Sequence, residues 1–238
     1  MNVAAAQLQS IPGDVAANAA VHAQLIADAA ATGARVVVFP ELSVTGYELD
    51  LLRDDPSLWL SPEDARLDSV RDTCRTAGIW AVVGAPVRDT EGARRLAAIA
   101  VDDRGATAAI YAKHHLDEFE VDLFDRGHEH VVLEVDGHRL GLAVCADAGV
   151  PEHAAQLAAM GADTYLVGAL FPRPRAAARD EQMAARARDN GLWVVLGATA
   201  GPAWRYDGCG GSGVWRPDGE VVVQLGDEPR GIAVTELA

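Results

Sequence analysis

Apolar residues in this chain fall into short β-rich runs, and these alternate with stretches of helical spacing. Residues 2–8 read as a strand. Asp14 stands as an N-cap before an alanine-rich helix that stops at Gly33. Val36-Val37-Val38-Phe39 is a short buried strand ending at Pro40. Ser61-Pro62-Glu63-Asp64 reads as the start of a helix that ends near Gly78: a cap, a proline at the first helical position and acids that suit the helix N-terminus. Residues 79–87, 95–102 and 106–112 are consecutive strands separated by Asp-Thr-Glu-Gly and Asp-Asp-Arg-Gly turns, and Asp136-Gly137 joins 131–135 to 138–144 as a hairpin. Pro151 opens a helix closed by Gly161, 164–168 is a strand, 175–190 a helix closed by Gly191, and 192–198 a strand. Strands at 212–216, 220–225 and 231–236 complete the pattern. No linker or repeat interrupts it, so the pattern predicts one α/β domain over residues 1–238, with about four main helices. Periodicity alone does not arrange the sheets.

Composition narrows the partners. The 238 residues carry 35 acidic and 20 basic side chains, a formal charge of −15. That balance argues against nucleic acid and against an anionic membrane surface as ligands. No apolar run approaches the length of a membrane span. The three cysteines, Cys74, Cys145 and Cys209, form no disulfide framework, and the N-terminus carries no signal pattern, which predicts a reducing, cytoplasmic location. Nineteen of the 20 basic residues are arginine. The one lysine is Lys113, and solvation alone does not explain a lysine in a chain that otherwise uses arginine.

Three strand ends carry chemistry. Val37-Val38-Phe39-Pro40 runs into Glu41, which is either a solvated loop acid or a site carboxylate. Lys113 ends the strand 106–112, with Glu118 and Glu120 nearby. The apolar run Gly141–Val144 delivers Cys145 to its C-terminal end, either as inert packing or as a nucleophile ahead of a helix. Cys74 reads as core, and Cys209 as a residue of a Gly-rich loop where exposure is plausible. Gly208 through Gly213 spells G-x-G-x-x-G, but a strand and a Pro-Asp-Gly turn follow instead of a helix, so it is not a dinucleotide site. His114-His115 and His128-Glu129-His130 lack zinc-site spacing and read as solvated loop. A glutaminase-type cysteine elbow would have glycines two residues either side of the nucleophile, where this chain has Ala143 and Asp147.

Glu41, Lys113 and Cys145, in that order, resemble the signature of the nitrilase (carbon–nitrogen hydrolase) superfamily. Phe39-Pro40-Glu41-Leu42-Ser43-Val44-Thr45-Gly46-Tyr47 is similar to its first motif, and Tyr111-Ala112-Lys113-His114-His115-Leu116 to its second, with Glu120 matching the family's second glutamate. Gly141 to Cys145 with Asp147, Pro151 and Glu152 fits the third in part, and Ala185–Asn190 and Gly210-Gly211-Ser212 with Pro217-Asp218-Gly219 resemble later segments. The departures are Ala146 after the cysteine, Gly149-Val150 before Pro151, Ala198 in the late strand and Cys209 before the glycines.

The resemblance implies an α-β-β-α sandwich, a homodimer or higher homo-oligomer, and hydrolysis of a small amide or carbamoyl amide without metal or organic cofactor. Action on a nitrile, or ligand binding without catalysis, are the alternatives. It implies Cys145 as a thiolate nucleophile whose pKa a neighbouring ammonium lowers, Glu41 as general acid and base, and Lys113 with the Ala146 N–H at the oxyanion. Glu120 is expected to orient Lys113 or the substrate. Tyr47, Leu170 and Phe171 are expected to line the pocket, which Ala146 widens beside the nucleophile.

Overall fold

The computed structural model describes residues 1–238. In chain order its elements begin with β1 (Asn2–Leu8), α1 (Val15–Ala31), β2 (Val36–Val38), α2 (Leu49–Asp54), α3 (Asp68–Ala77), β3 (Trp80–Arg88), β4 (Arg94–Val101), β5 (Thr107–Ala112), β6 (Val132–Val135) and β7 (His138–Val144). They continue with α4 (Ala146–Gly149), α5 (Pro151–Ala159), β8 (Thr164–Ala169), α6 (Ala176–Asn190), β9 (Trp193–Ala203), β10 (Tyr206–Cys209), β11 (Gly213–Trp215), β12 (Val221–Gln224) and β13 (Arg230–Glu236).

A proline organises the sheets. β13 pairs with β1 along its whole length, so β2 and β9 share the other edge of β1. β2 takes Val3 to Ala5 and then stops, because Pro40 has no N–H to continue a ladder. β9 takes over at Gln7 and Leu8, opposite Ala198 and Thr199. From this seam one leaf runs β1-β2-β3-β4-β5 and the other β9-β8-β7-β6. The two leaves face each other.

Helices cover the outer faces. Leu25 and Ile26 of α1 and Val70 and Cys74 of α3 share one core cluster with Val37, Ala81 and Ile99. Leu157 of α5 and Met183 and Ala187 of α6 pack on Tyr165, Val167, Val194 and Leu196. Leu166, between Tyr165 and Val167, belongs to the first cluster, so alternate β8 side chains serve the two cores. That double burial is why β7, β8 and β9 are nearly continuous apolar runs. The result is the α-β-β-α sandwich.

Most predicted elements occur where the pattern puts them, and the Asp14 carboxylate accepts from the Ala17 N–H as the expected cap. One helix start is corrected. Residues 61–64 form a turn, and α3 begins only at Asp68. Asp64 accepts from the Arg66 N–H at 3.0 Å and from its Nε and Nη2, both at 2.7 Å. It therefore caps a single 3-10 turn, Ala65–Leu67, ahead of the helix. α2, α4 and β10 were not expected; each is too short to carry a periodic signal.

The backbone is tightly packed where β2 ends. The carbonyl of Phe39 lies 2.5 Å from the position a Cβ on Gly168 would take, and a Cβ on Gly84 would overlap the carbonyl of Pro40. Glu41 is thus held between β3 and β8 by two residues without side chains. Gly168 also accepts from the Cys145 N–H at 3.0 Å. Gly168→Ala is expected to cost about 1–3 kcal/mol by overpacking and to reduce turnover by shifting the 39–41 segment. Denaturant unfolding with activity measured on the folded fraction checks both effects.

Candidate active site

Four segments of the site stand past the carboxyl ends of strands. Glu41 follows β2, Lys113 follows β5, Cys145 follows β7, and Leu170-Phe171 follow β8. An open cleft of ≈ 570 Å³ runs over these ends, as expected for an α/β sheet. It brings together Glu41, Lys113, Glu120 and Cys145, and the expected lining residues Tyr47, Ala146, Leu170 and Phe171 all face it.

Lys113 is at the centre. Its side chain is 1% exposed, and its three N–H donors are spent on two carboxylates: Glu41 Oε1 at 2.6 Å, and Glu120 Oε1 and Oε2 at 2.9 and 2.8 Å. Its backbone is fixed on both sides, the N–H donating to Leu96 O and the carbonyl accepting from the Gly127 N–H. Glu120 also accepts from the Tyr47 hydroxyl at 2.8 Å and from the Asp117 N–H at 2.8 Å. Glu118, two residues earlier, is exposed at the cleft mouth, so burial separates the two acids that composition and spacing alone did not distinguish.

Glu41 is different from Glu120. Its Oε2 is buried and has no hydrogen-bond partner. Burial pushes its carboxyl up to about 7; Lys113 pulls it down, and the negative charge of Glu120 adds to the rise. Burial opposes the charge on Lys113, but Glu41 and Glu120 outweigh it and raise its pKa well above the usual lysine value.

Cys145 occupies a tight strand-to-helix corner with φ 46° and ψ −99°. A non-glycine residue there costs about 1–3 kcal/mol in backbone strain. The corner is an elbow, and it forms without the flanking glycines of the glutaminase pattern. The thiol packs against both core clusters, and its Sγ donates to Leu170 O at 3.5 Å. The expectation of a thiolate favoured by ammonium is reversed. Burial raises the Cys145 pKa well above normal, Glu41 and Glu120 add to it, and Lys113 only partly offsets them. One ammonium shared by two carboxylates leaves no net positive field for a thiolate, which favours the thiol form of Cys145.

Asp147 holds the elbow. Its Oδ1 accepts from the His115 N–H and Nδ1, both at 2.9 Å, and from the His114 N–H at 3.2 Å. Its Oδ2 accepts from the Tyr111 hydroxyl at 2.7 Å and the Val144 N–H at 3.0 Å. Burial opposes its ionisation, yet its pKa is lowered, by His153, Tyr111 and these donors. A single carboxylate thus ties the turn carrying Cys145 to the strand end carrying Lys113. Sequence matched Asp147 to a motif but assigned it no task; an acid two residues past the cysteine at the end of an apolar strand was the available signal.

Two loop expectations are corrected. Cys209 is buried, 3.0 Å from Arg179 Nη1, because β10 carries it inward. His114 and His130 are half-buried and stack around buried His153, with ring centroids 4.7, 5.3 and 4.9 Å apart. Their ligand nitrogens lie within 4.8 Å of one another. However, the Tyr111 hydroxyl donates to Asp147 and so accepts from His153 Nε2, while Tyr165 donates to Nδ1. His153 has no free nitrogen for a metal.

The profile of the carbon-nitrogen hydrolase family matches residues 2–238. The chain belongs to this family. The NitN amidase of Nesterenkonia sp. AN1 is 30% identical, with a TM-score of 0.91 over 100% of this chain and 93% of that one. Variants of that amidase hold butyramide, or acrylamide added at the active-site cysteine. A hydrolase of Mycobacterium tuberculosis is 32% identical over 97% of this chain and 87% of its own. A hydrolase of Pseudomonas protegens is 29% identical over 95% and 79%. This carbon–nitrogen hydrolase is therefore an enzyme of the amidase-containing superfamily. It contains no helix long and apolar enough to cross a membrane.

Asp147→Asn would turn one accepting oxygen into an NH₂ that faces donors. It is expected to destabilise the fold by about 1–3 kcal/mol, the cost of leaving buried groups unpaired, and to lower turnover of the folded enzyme. Thermal unfolding and activity assayed together check this.

Proposed function

We propose that this carbon–nitrogen hydrolase cleaves a small primary amide to carboxylic acid and ammonia through a thioester on Cys145. The observation that carries the reading is the unpartnered, buried Oε2 of Glu41, in a cleft shared with the Cys145 thiol, while Lys113 occupies the other oxygen. A carboxylate with one free oxygen and a pKa near the working pH suits a general base that must later act as acid.

The chemistry follows from these groups. Glu41 takes the thiol proton as Sγ attacks the amide carbon. The carbonyl oxygen gains the negative charge and meets Lys113 and the N–H of Ala146, which opens α4 and so has no intrahelical acceptor. Lys113 can turn one N–H to the oxyanion because Glu120 keeps its bonds from Tyr47 and Asp117. Glu120 is thus the positioning carboxylate. The C–N bond then breaks, and protonated Glu41 passes its proton to the departing nitrogen. Glu41 next draws a proton from water, which attacks the thioester; acid leaves and the thiol is restored. The butyramide and acrylamide complexes of the Nesterenkonia amidase support an amide as substrate.

The test is ammonia release from propionamide and butyramide by the wild-type enzyme and its absence in Cys145→Ala. Release from butyronitrile but not butyramide would replace the amide by a nitrile. Two further outcomes are expected. Glu41 is a base only when ionised, so kcat/KM for butyramide rises as pH increases through about 7 and is level above it. An acid limb near the ordinary glutamate value would contradict this. Lys113→Arg keeps the charge but does not fit three donors between Glu41 and Glu120 in the same way. It is expected to lower kcat by about 10²–10³, the usual loss for an oxyanion donor, in a protein shown folded by circular dichroism.

A further inference from the structure

Three histidines far apart in sequence meet beside the strand end that carries Lys113. His114 follows β5, His130 precedes β6 and His153 lies on α5. No short spacing links them, so the sequence shows no zinc pattern, and only the fold brings them together. Their rings are tilted by 59°, 72° and 62° to one another, and one ligand atom of each lies within 4.8 Å of the others. The Nε2 atoms of two rings are engaged. His114 Nε2 faces the Glu129 carbonyl at 3.1 Å, and His130 Nε2 faces the side-chain oxygen of Gln156. Both partners only accept, so each ring carries its proton on Nε2 and has a bare lone pair on Nδ1. Nothing in the protein donates to the Nδ1 of His130, although it is buried. An orphaned buried nitrogen calls for a physical reason, and a bound cation is one.

The third ring is engaged on both sides at rest. His153 Nε2 donates to the Tyr111 oxygen at 2.8 Å, and Nδ1 accepts from the Tyr165 hydroxyl at 2.9 Å. Tyr165 has no other side-chain partner, so its hydroxyl can turn and accept instead. The proton then sits on Nδ1, Nε2 gives up Tyr111, and Tyr111 keeps its bond to Asp147. This yields three imidazoles, each donating its second N–H to an oxygen, which is how metal-bound histidines are held. We infer that His114 Nδ1, His130 Nδ1 and His153 Nε2 bind a divalent transition ion of the Zn²⁺ class, and that the ion lowers turnover. Three imidazoles suit zinc, whereas Mg²⁺ and Ca²⁺ take oxygen ligands. Zn–N bonds of about 2.0–2.1 Å set tetrahedral nitrogens about 3.4 Å apart. Rotation of the half-buried His114 and His130 rings closes the set to that spacing. The coupling runs through Tyr111. The ion takes away the hydrogen bond that steadies Tyr111 against Asp147, the carboxylate tying the Cys145 elbow to the Lys113 strand end. None of the three histidines lines the cleft, so kcat falls while KM is held.

The experiment uses tag-free protein. Co²⁺ is titrated into Cys145→Ala, which lacks the cleft thiol, and read by visible d–d absorption; Zn²⁺ then displaces it. One equivalent with a tetrahedral spectrum is expected. Affinity is expected to fall about 10–100-fold in Gln156→Leu, which removes only an outer partner, and further in His114→Leu and His130→Leu. NMR of protein with isotope-labelled histidine reads the tautomer without any of these leucine substitutions: His153 passes from Nε2–H to Nδ1–H when Zn²⁺ is added. The turnover arm rests on the amidase reading; the binding arms do not. Zn²⁺ is expected to lower wild-type kcat for butyramide several-fold at constant KM, and His130→Leu to remove most of that response. No binding in Cys145→Ala, undiminished affinity in both histidine variants, or an unchanged His153 tautomer overturns the site. Binding with kcat unchanged overturns the regulation. Absence of amide hydrolysis in the metal-free wild type overturns the amidase reading, and the binding arms still decide the site.

Discussion

The buried ammonium of Lys113 is the constraint on which this site rests. Two carboxylates that far from water would not stay ionised side by side without it, and an ammonium there would not stay charged without them. Removing one member of such a group leaves an uncompensated charge, which typically costs about 3–5 kcal/mol. The geometry also explains the composition. Three donors on one tetrahedral nitrogen reach three oxygens on two residues; a planar guanidinium would bind a single carboxylate side-on and leave the second wrongly placed. A chain that uses arginine at its other 19 basic positions keeps lysine here because shape, not charge, is what the position requires.

The same trio bears on the protonation of Cys145. With Lys113 divided between Glu41 and Glu120, the local field does not favour a thiolate, and burial works against it further. The site therefore holds a thiol and a carboxylate that share one transferable proton, with the carboxylate raised toward neutrality by the same burial. The two groups become a matched pair: moving the proton from sulfur to Glu41 removes one buried negative charge as it creates another. This is a different device from the low-pKa cysteine beside a cation, and it follows from counting the charges in the cleft.

Much of this was legible in the sequence. The strand ends at Glu41, Lys113 and Cys145 follow from apolar runs that stop at polar residues, and the lone lysine marked itself by composition. The sandwich was not readable from periodicity, because the pairing of β1 with both β2 and β9 depends on where Pro40 ends one ladder and lets another begin. The reading failed where local chemistry imitates something else. Asp64 has the neighbours of a helix cap, but its bonds to Arg66 hold a turn. Cys209 sits among glycines that suggest exposure, but β10 turns it against Arg179. The histidines lie in loops by pattern, but Tyr111, Tyr165 and His153 come together only in the folded chain.

The centre of the cleft is saturated: Lys113 has no donor to offer a resting ligand, and Glu120 is filled by three separate partners. Ground-state charge on a ligand therefore finds no free donor at the reacting end. In the proposed reaction Lys113 releases a donor only when the oxyanion forms, which is the condition for an interaction to accelerate the reaction and not merely to tighten binding.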